Sequence, residues 1–265
     1  MAPEITDAAP APLVARLPVV DLWVQPAADA ARASQVLLGT PLVPLAAAGD
    51  YLYIEGPDYY RGWVRREETA PPVPSGGEER VVAELSVPVL PQPDAPQPQM
   101  HVYFGTRLPL EALEGEWARV RLPEGEGWVP ASALRAVCRE GAPLSLEALL
   151  ADARRFVGVP YLWGGGSPLG IDCSGFVQAI FRQHGRTLRR DARLQVRHGR
   201  PVPVAAVTAG DLIFFGASRW GLPTHVGIAV SSDEYIHAHG SDGRCVSITP
   251  LAEAADTIWG VRRVR

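Results

Sequence analysis

Two hydrophobic rhythms divide the chain. From about residue 15 to residue 138, short alternating runs such as Tyr51-Leu52-Tyr53-Ile54 and Trp117-Ala118-Arg119-Val120-Arg121-Leu122 are separated by turn residues. Alternation over such short runs predicts strands of small all-β units. The pattern also repeats. Gly39-Thr40, Gly49-Asp50-Tyr51 and Gly62-Trp63-Val64 recur as Gly105-Thr106, Gly115-Glu116-Trp117 and Gly127-Trp128-Val129, at an offset of 65 to 66 residues. A fixed period of that size reads as two copies of one module. Trp63 and Trp128 are expected in the cores of these modules. The stretch Ala70-Pro71-Pro72-Val73-Pro74-Ser75-Gly76-Gly77 reads as a linker, and residues 1–14 as a flexible Ala/Pro tail.

From Ser145 the rhythm changes. Leu146, Leu149, Leu150, Ala153 and Phe156 follow helical spacing, with Ser145 as N-cap and Gly158 past the end. Phe176, Val177, Ile180 and Phe181 predict a second helix, closed by Gly185 after His184. Strand-like runs follow at 211–215, 225–230 and 234–238. Helices followed by consecutive strands imply an α+β domain with an antiparallel sheet.

The 265 residues suit two domains, or three if some are small, and the seven Trp argue against disorder. A net charge of −4 and a pI near 5.9 speak against a nucleic-acid partner. Every basic residue is Arg, which reads as compositional bias. No stretch approaches the roughly 20 apolar residues of a membrane span, so no membrane partner is expected. The start, Met1-Ala2-Pro3-Glu4-Ile5-Thr6-Asp7, lacks the basic and apolar regions of a secretory signal, so a cytoplasmic location is expected, as is a monomer. Cys138, Cys173 and Cys245 are too sparse for a disulfide framework.

Cys173 stands where a Gly-rich loop, Tyr161-Leu162-Trp163-Gly164-Gly165-Gly166, leads into the second helix. A helix N-terminus favours thiolate, the nucleophilic form. From its flanks alone Cys173 fits a buried structural cysteine about as well. A base is on offer in His225, with His237 on the next strand. An odd turn, such as Ser231 to Asp233, would put both rings on one face of the sheet, and an even turn would put them on opposite faces. His237, His239 and Cys245 lie close in sequence but match no zinc spacing, so no metal is expected. Arg182, Arg186, Arg189, Arg190, Arg193, Arg197 and Arg200 form a basic run. It reads as a solvated helix face, or more sharply as one or two arginines that meet substrate carboxylates.

Five motifs carry a family resemblance: Pro160-Tyr161-Leu162-Trp163-Gly164-Gly165, Asp172-Cys173-Ser174-Gly175-Phe176-Val177, Gly210-Asp211-Leu212-Ile213-Phe214-Phe215, His225-Val226-Gly227-Ile228 and Ile236-His237-Ala238. They span about 78 residues, and in them the chain resembles the NlpC family of papain-like bacterial cell-wall cysteine peptidases. The paired N-terminal modules resemble bacterial SH3-type domains through their Gly-Trp-Val positions. The resemblance implies a multidomain chain: a tail at 1–14, SH3-like barrels at 15–70 and 81–138 joined by a linker at 71–80, and an α+β papain-like peptidase domain at 139–265.

It further implies hydrolysis of the γ-D-glutamyl bond to a diamino acid, Lys or diaminopimelate, in peptidoglycan stem peptides, with no cofactor. Cys173 matches the nucleophile, His225 the base and His237 the orienting third residue. Tyr161 matches a tyrosine lining the site. The whole layout is similar to members that act on released peptides with a free N-terminal L-Ala. In those, Asp172 and Ser174 would bind the amino group, and Tyr60 fits the tyrosine with which the first module closes the pocket. Ala192 replaces a Ser in the family's Arg-Asp-Ser stretch, which puts one substrate hydrogen bond in doubt. Two other readings stay open: an endopeptidase of intact wall anchored by its modules, and a non-catalytic binding protein for wall peptides.

Overall fold

In the strand Tyr51–Glu55, alternation turns Leu52 and Ile54 inward, and in Arg61–Arg65 it does the same for Gly62 and Val64. Burying alternate apolar side chains in this way is what turns short runs into sheets. The computed structural model describes residues 11–73, 77–218, 221–240 and 244–265. Residues 1–10 of the expected tail, and Pro74, Ser75 and Gly76 of the expected linker, lie outside the described residues. The chain is mostly β with some helices, and it divides into two compact units, Met1–Val137 and Cys138–Arg265.

In the first unit, strands between Leu13 and Ala70 form a seven-stranded sheet, and strands between Glu79 and Ala136 form a five-stranded sheet and a separate two-stranded ribbon. Both sheets are open, and no closed barrel is found among the described residues. The repeat read from the glycines is structural. Gly39 and Gly105 both take positive φ (75° and 89°), as do Gly49 and Gly115 (56° and 62°). Bulges fall between Pro44 and Ala46 and, in the second copy, between Leu110 and Ala112. Each copy has its own core, around Val20, Leu22 and Ile54 in the first and around Val89, Val120 and Val129 in the second. Trp63 and Trp128 are not in those cores. Their neighbours Val64 and Val129 take the inward positions, so each indole lies half-buried on the other face. There Trp63 lies against Tyr53 (centroids 5.1 Å apart) and Trp128 under Arg119 (5.9 Å).

The second unit begins with helix α1 (Leu146–Arg155), capped by Ser145, whose side-chain oxygen accepts the Ala148 N–H at 3.3 Å. Helix α2 (Cys173–Gln183) follows, then the single turn α3 (Ala192–Gln195). Gly185, at φ 70°, ends α2 as glycine does after a helix. Phe156 and Phe176 join the two long helices, with ring centroids 5.6 Å apart. The sheet is antiparallel, in the order β1 (Arg200–Val202), β6 (Ile258–Arg263), β2 (Leu212–Phe215), β3 (His225–Ala229), β4 (Glu234–Ala238), β5 (Val246–Pro250). All four residues of the central strand β2 are buried, which explains its unbroken apolar run. No helix among the described residues is long and apolar enough to cross a membrane.

Candidate active site

Asp172 is the N-cap of α2. Its Oδ1 accepts the Gly175 N–H at 2.7 Å, the Ser174 hydroxyl at 3.2 Å and Arg190 Nη1 at 2.9 Å. Its Oδ2 accepts the Gly164 N–H at 2.9 Å and Arg190 Nη2 at 2.7 Å. One carboxylate thus caps the helix and stitches the Gly-rich loop to it. Gly175 has to be glycine, because a Cβ there would stand 2.3 Å from the Gly165 carbonyl oxygen. Cys173, the first residue of the helix, is 8% exposed.

The hairpin joining β3 to β4 turns through Ser231, Ser232 and Asp233, closed by a Val230 N–H to Glu234 carbonyl bond of 2.9 Å. The turn is odd, and the register Ala229↔Tyr235 puts His225 and His237 on the same face. His225 Nε2 lies 2.7 Å from His237 Nδ1, and His237 Nε2 lies 3.1 Å from Thr249 Oγ1 on β5. Phe215 and Tyr235 pack beside the two rings, and His239 stacks on His237 at 4.7 Å. Gly227, two residues after His225 on β3, makes this room: a Cβ there would meet the Tyr235 ring at 2.7 Å and His237 Cβ at 3.2 Å.

The β3–β4 pairing stops at Ile228↔Ile236, before it reaches Val226. The Val226 N–H, one residue beyond His225, donates to Cys173 instead, as does the Ser174 N–H. That contact brings the α2 start to the histidine strand. Tyr161 is half-buried in the same neighbourhood. Burial first, then the nearby Cys173 and Asp172, push its hydroxyl up to about 12, so it stays a proton donor.

The thiol behaves differently from the helix-terminus expectation. Burial, then the Asp172 carboxylate beside it, pushes Cys173 up to about 12, outweighing the two backbone N–H groups and Arg190. Burial pushes His225 down to about 4, with His239 adding to the shift, and pushes His237 down to about 3, with His225 next in importance. All three shifts favour the uncharged forms, a thiol at Cys173 and neutral imidazoles at His225 and His237.

Among the other residues singled out in the sequence, Ser174 is buried, and its oxygen also accepts from Arg190 Nη1 at 3.0 Å. Tyr60 belongs to the first unit, where it packs on that module's core and its hydroxyl donates to the Ala33 carbonyl at 3.3 Å. Ala192 is buried at the start of α3. The basic run does not form one solvated face. Arg186 and Arg190 are buried, and Arg193 pairs with Asp191. Thr249 and Gln195 join the site without having been singled out in the sequence, whereas Gly227 and Arg190 stood in quoted motifs or runs without these contacts being foreseen. The sequence signal for Thr249 was its place on the strand after His237.

Comparison with known proteins identifies the family of this chain. The model of the NlpC/P60 family matches residues 158–263. The γ-D-glutamyl-L-lysine dipeptidyl-peptidase of Bacillus subtilis (strain 168) is 30% identical over 229 residues, covering 83% of this chain and 76% of that protein. The peptidoglycan endopeptidase RipB of Mycobacterium tuberculosis is 34% identical over 137 residues, 47% of this chain and 55% of that one. The crystal structure of an NlpC/P60 family protein from Bacillus cereus ATCC 10987 superposes with a TM-score of 0.86 over 96% of this chain and 99% of that one, at 24% identity, a likeness of fold. With the motifs, the fold and a relative matched over most of both chains in agreement, this protein belongs to the NlpC/P60 family.

Proposed function

We propose that this cysteine peptidase of the NlpC/P60 family hydrolyses the γ-D-glutamyl–diamino acid bond of peptidoglycan stem peptides, acting on released peptides with a free N-terminal L-Ala. The observation that carries the reading is the chain from Cys173 through Val226 to the His225–His237 contact of 2.7 Å. The dipeptidyl-peptidase name of the Bacillus subtilis relative supports the bond and the free amine.

The chemistry follows from the proton positions. His225 Nε2 is occupied by His237, so Nδ1 is the nitrogen left to serve Cys173. For Nδ1 to carry a lone pair, Nε2–H must donate to His237 Nδ1, and His237 Nε2–H then donates to Thr249. Because thiol and imidazole both rest neutral, the proton leaves Cys173 as the sulfur attacks the γ-carbonyl of D-Glu. The imidazolium so formed is held by its contact with His237 Nδ1 and returns the proton to the leaving amine. Water then cleaves the thioester by the same route. Tyr161, as a protonated hydroxyl, and the Cys173 N–H are the donors for the oxyanion.

Asp172 and Ser174 are assigned to the substrate's amino group. The Asp172 carboxylate is paired with Arg190 and already accepts five hydrogen bonds, so Ser174 Oγ, which among the described residues accepts only from Arg190, is the oxygen with a lone pair to offer the amine. The two β modules are read as SH3-type domains, and the enzyme as a cytoplasmic recycler of wall peptides. The test is L-Ala-γ-D-Glu-diamino acid peptide, offered with a free and with an acetylated N-terminus. Cleavage of the free form only is expected. Equal cleavage of both would favour the wall endopeptidase, and no cleavage by protein with a titrated Cys173 thiol would favour a binding protein.

A further inference from the structure

Arg190 carries a full charge and is only 3% exposed. It sits between α2 and α3, and its planar fork faces the start of α2. Nη1 donates to Asp172 Oδ1 at 2.9 Å and Ser174 Oγ at 3.0 Å. Nη2 donates to Asp172 Oδ2 at 2.7 Å and to the Gly165 carbonyl at 3.0 Å. Both cap oxygens and the Gly-rich loop are thus gripped by one rigid group. Gln195, fully buried, ties the same region from α3: its Nε2 donates to the Ser174 carbonyl at 2.8 Å and the Arg189 carbonyl at 2.9 Å.

A solvated basic face has no use for this arrangement, and a lysine, with one compact ammonium, cannot reproduce a two-pronged contact. A buried Asp172 without its partner would also be an uncompensated charge one residue from the thiol. We propose that Arg190 is a positioning residue for Cys173, clamping the Asp172 cap and the Gly165 loop so that the first turn of α2 holds the sulfur against β3. The inference rests on Cys173 as nucleophile, and it deepens the proposed reaction rather than adding a substrate contact. It has two consequences: the fork fixes geometry, and the charge cancels that of Asp172.

The two are separable by experiment. Alkylation of Cys173 by iodoacetamide, followed by mass spectrometry of the Cys173 peptide across pH, reads thiol reactivity without any peptide substrate. Steady-state cleavage of the free-amine peptide reads geometry. Arg190→Lys keeps the charge and loses the fork, so its alkylation profile stays in place while kcat falls about tenfold with KM within about twofold. Arg190→Met leaves Asp172 uncompensated, so alkylation at a given pH slows about tenfold, and adding Asp172→Asn in the same chain restores most of that rate. Wild-type kcat in Arg190→Lys would overturn the clamp. A double variant no more reactive than Arg190→Met would overturn the charge role. If Arg190→Met does not fold, Arg190→Lys turnover and double-variant alkylation relative to wild type decide the matter. If alkylation behaves as expected while the wild type cleaves no peptide, the charge role of Arg190 stands and the substrate assignment falls.

Discussion

His225 Nε2 and His237 Nδ1 stand 2.7 Å apart, so one of these two ring nitrogens donates a proton and the other accepts it. His237 is not a carboxylate, so it adds no charge to the site. In the proposed mechanism it works as a neutral acceptor aimed by Thr249. Replacing His237 by Ala should lower kcat about 100-fold with little change in KM, since ring orientation and imidazolium stabilisation are both lost. His237→Asn, which can present an acceptor oxygen, should recover part of the loss. Steady-state kinetics on the free-amine peptide check both.

Gly227 is needed for that contact. An added methyl would collide with the Tyr235 ring, the Ile236 carbonyl (3.0 Å) and the base of His237. Gly227→Ala should cost about 1–3 kcal/mol of stability by overpacking, measured by denaturant unfolding. It should also lower kcat, because the strand can relieve the clash only by moving His237.

Acid should destabilise the fold through the same histidines. Both have folded pKa values below the ordinary 6.5, His225 at about 4 and His237 at about 3. The unfolded chain therefore binds more protons below pH 6.5. Their contribution is intact above that pH and is lost as pH falls toward the folded values. For His225 the loss amounts to roughly 3 kcal/mol. Denaturant unfolding at pH 7 and pH 4.5 should show a smaller drop for His225→Asn than for the wild type.

The two helix caps should respond unequally. Ser145→Ala removes one long bond on an exposed cap and should cost about 1 kcal/mol. Asp172→Ala strands the buried Arg190 guanidinium and should cost about 3–5 kcal/mol. Thermal unfolding of the two variants side by side makes the comparison.

Much of this was legible in the sequence because it is local. Glycine spacing exposed the repeat, since left-handed turns demand glycine at the same place in each copy. Helical spacing located α1 and α2, while the sequence left the turn after Val230 odd or even, and the register Ala229↔Tyr235 decided for the odd turn that aligns His225 with His237. What was hidden depends on contacts across the fold. The resemblance to an Arg-Asp-Ser stretch sets Arg190 apart in the run of seven arginines, but nothing there shows that its fork closes on Asp172, because its neighbours share its chemistry and burial is what separates them. The thiol's direction of shift was hidden for the same reason: position at a helix start is readable, but the degree of burial that overrides it is set by packing. Trp63 and Trp128 showed the limit of composition, since alternation gave the inward places to the smaller valines beside them.

The central claim is that Cys173 attacks the γ-carbonyl of D-Glu. Rapid quench of the enzyme with L-Ala-γ-D-Glu-diamino acid peptide, followed by mass spectrometry, tests it directly. The account predicts an L-Ala-D-Glu acyl group on Cys173 during turnover, and neither adduct nor product from Cys173→Ala. Product formation by Cys173→Ala at the wild-type rate, or an acyl group on Cys138 or Cys245 instead, would contradict it.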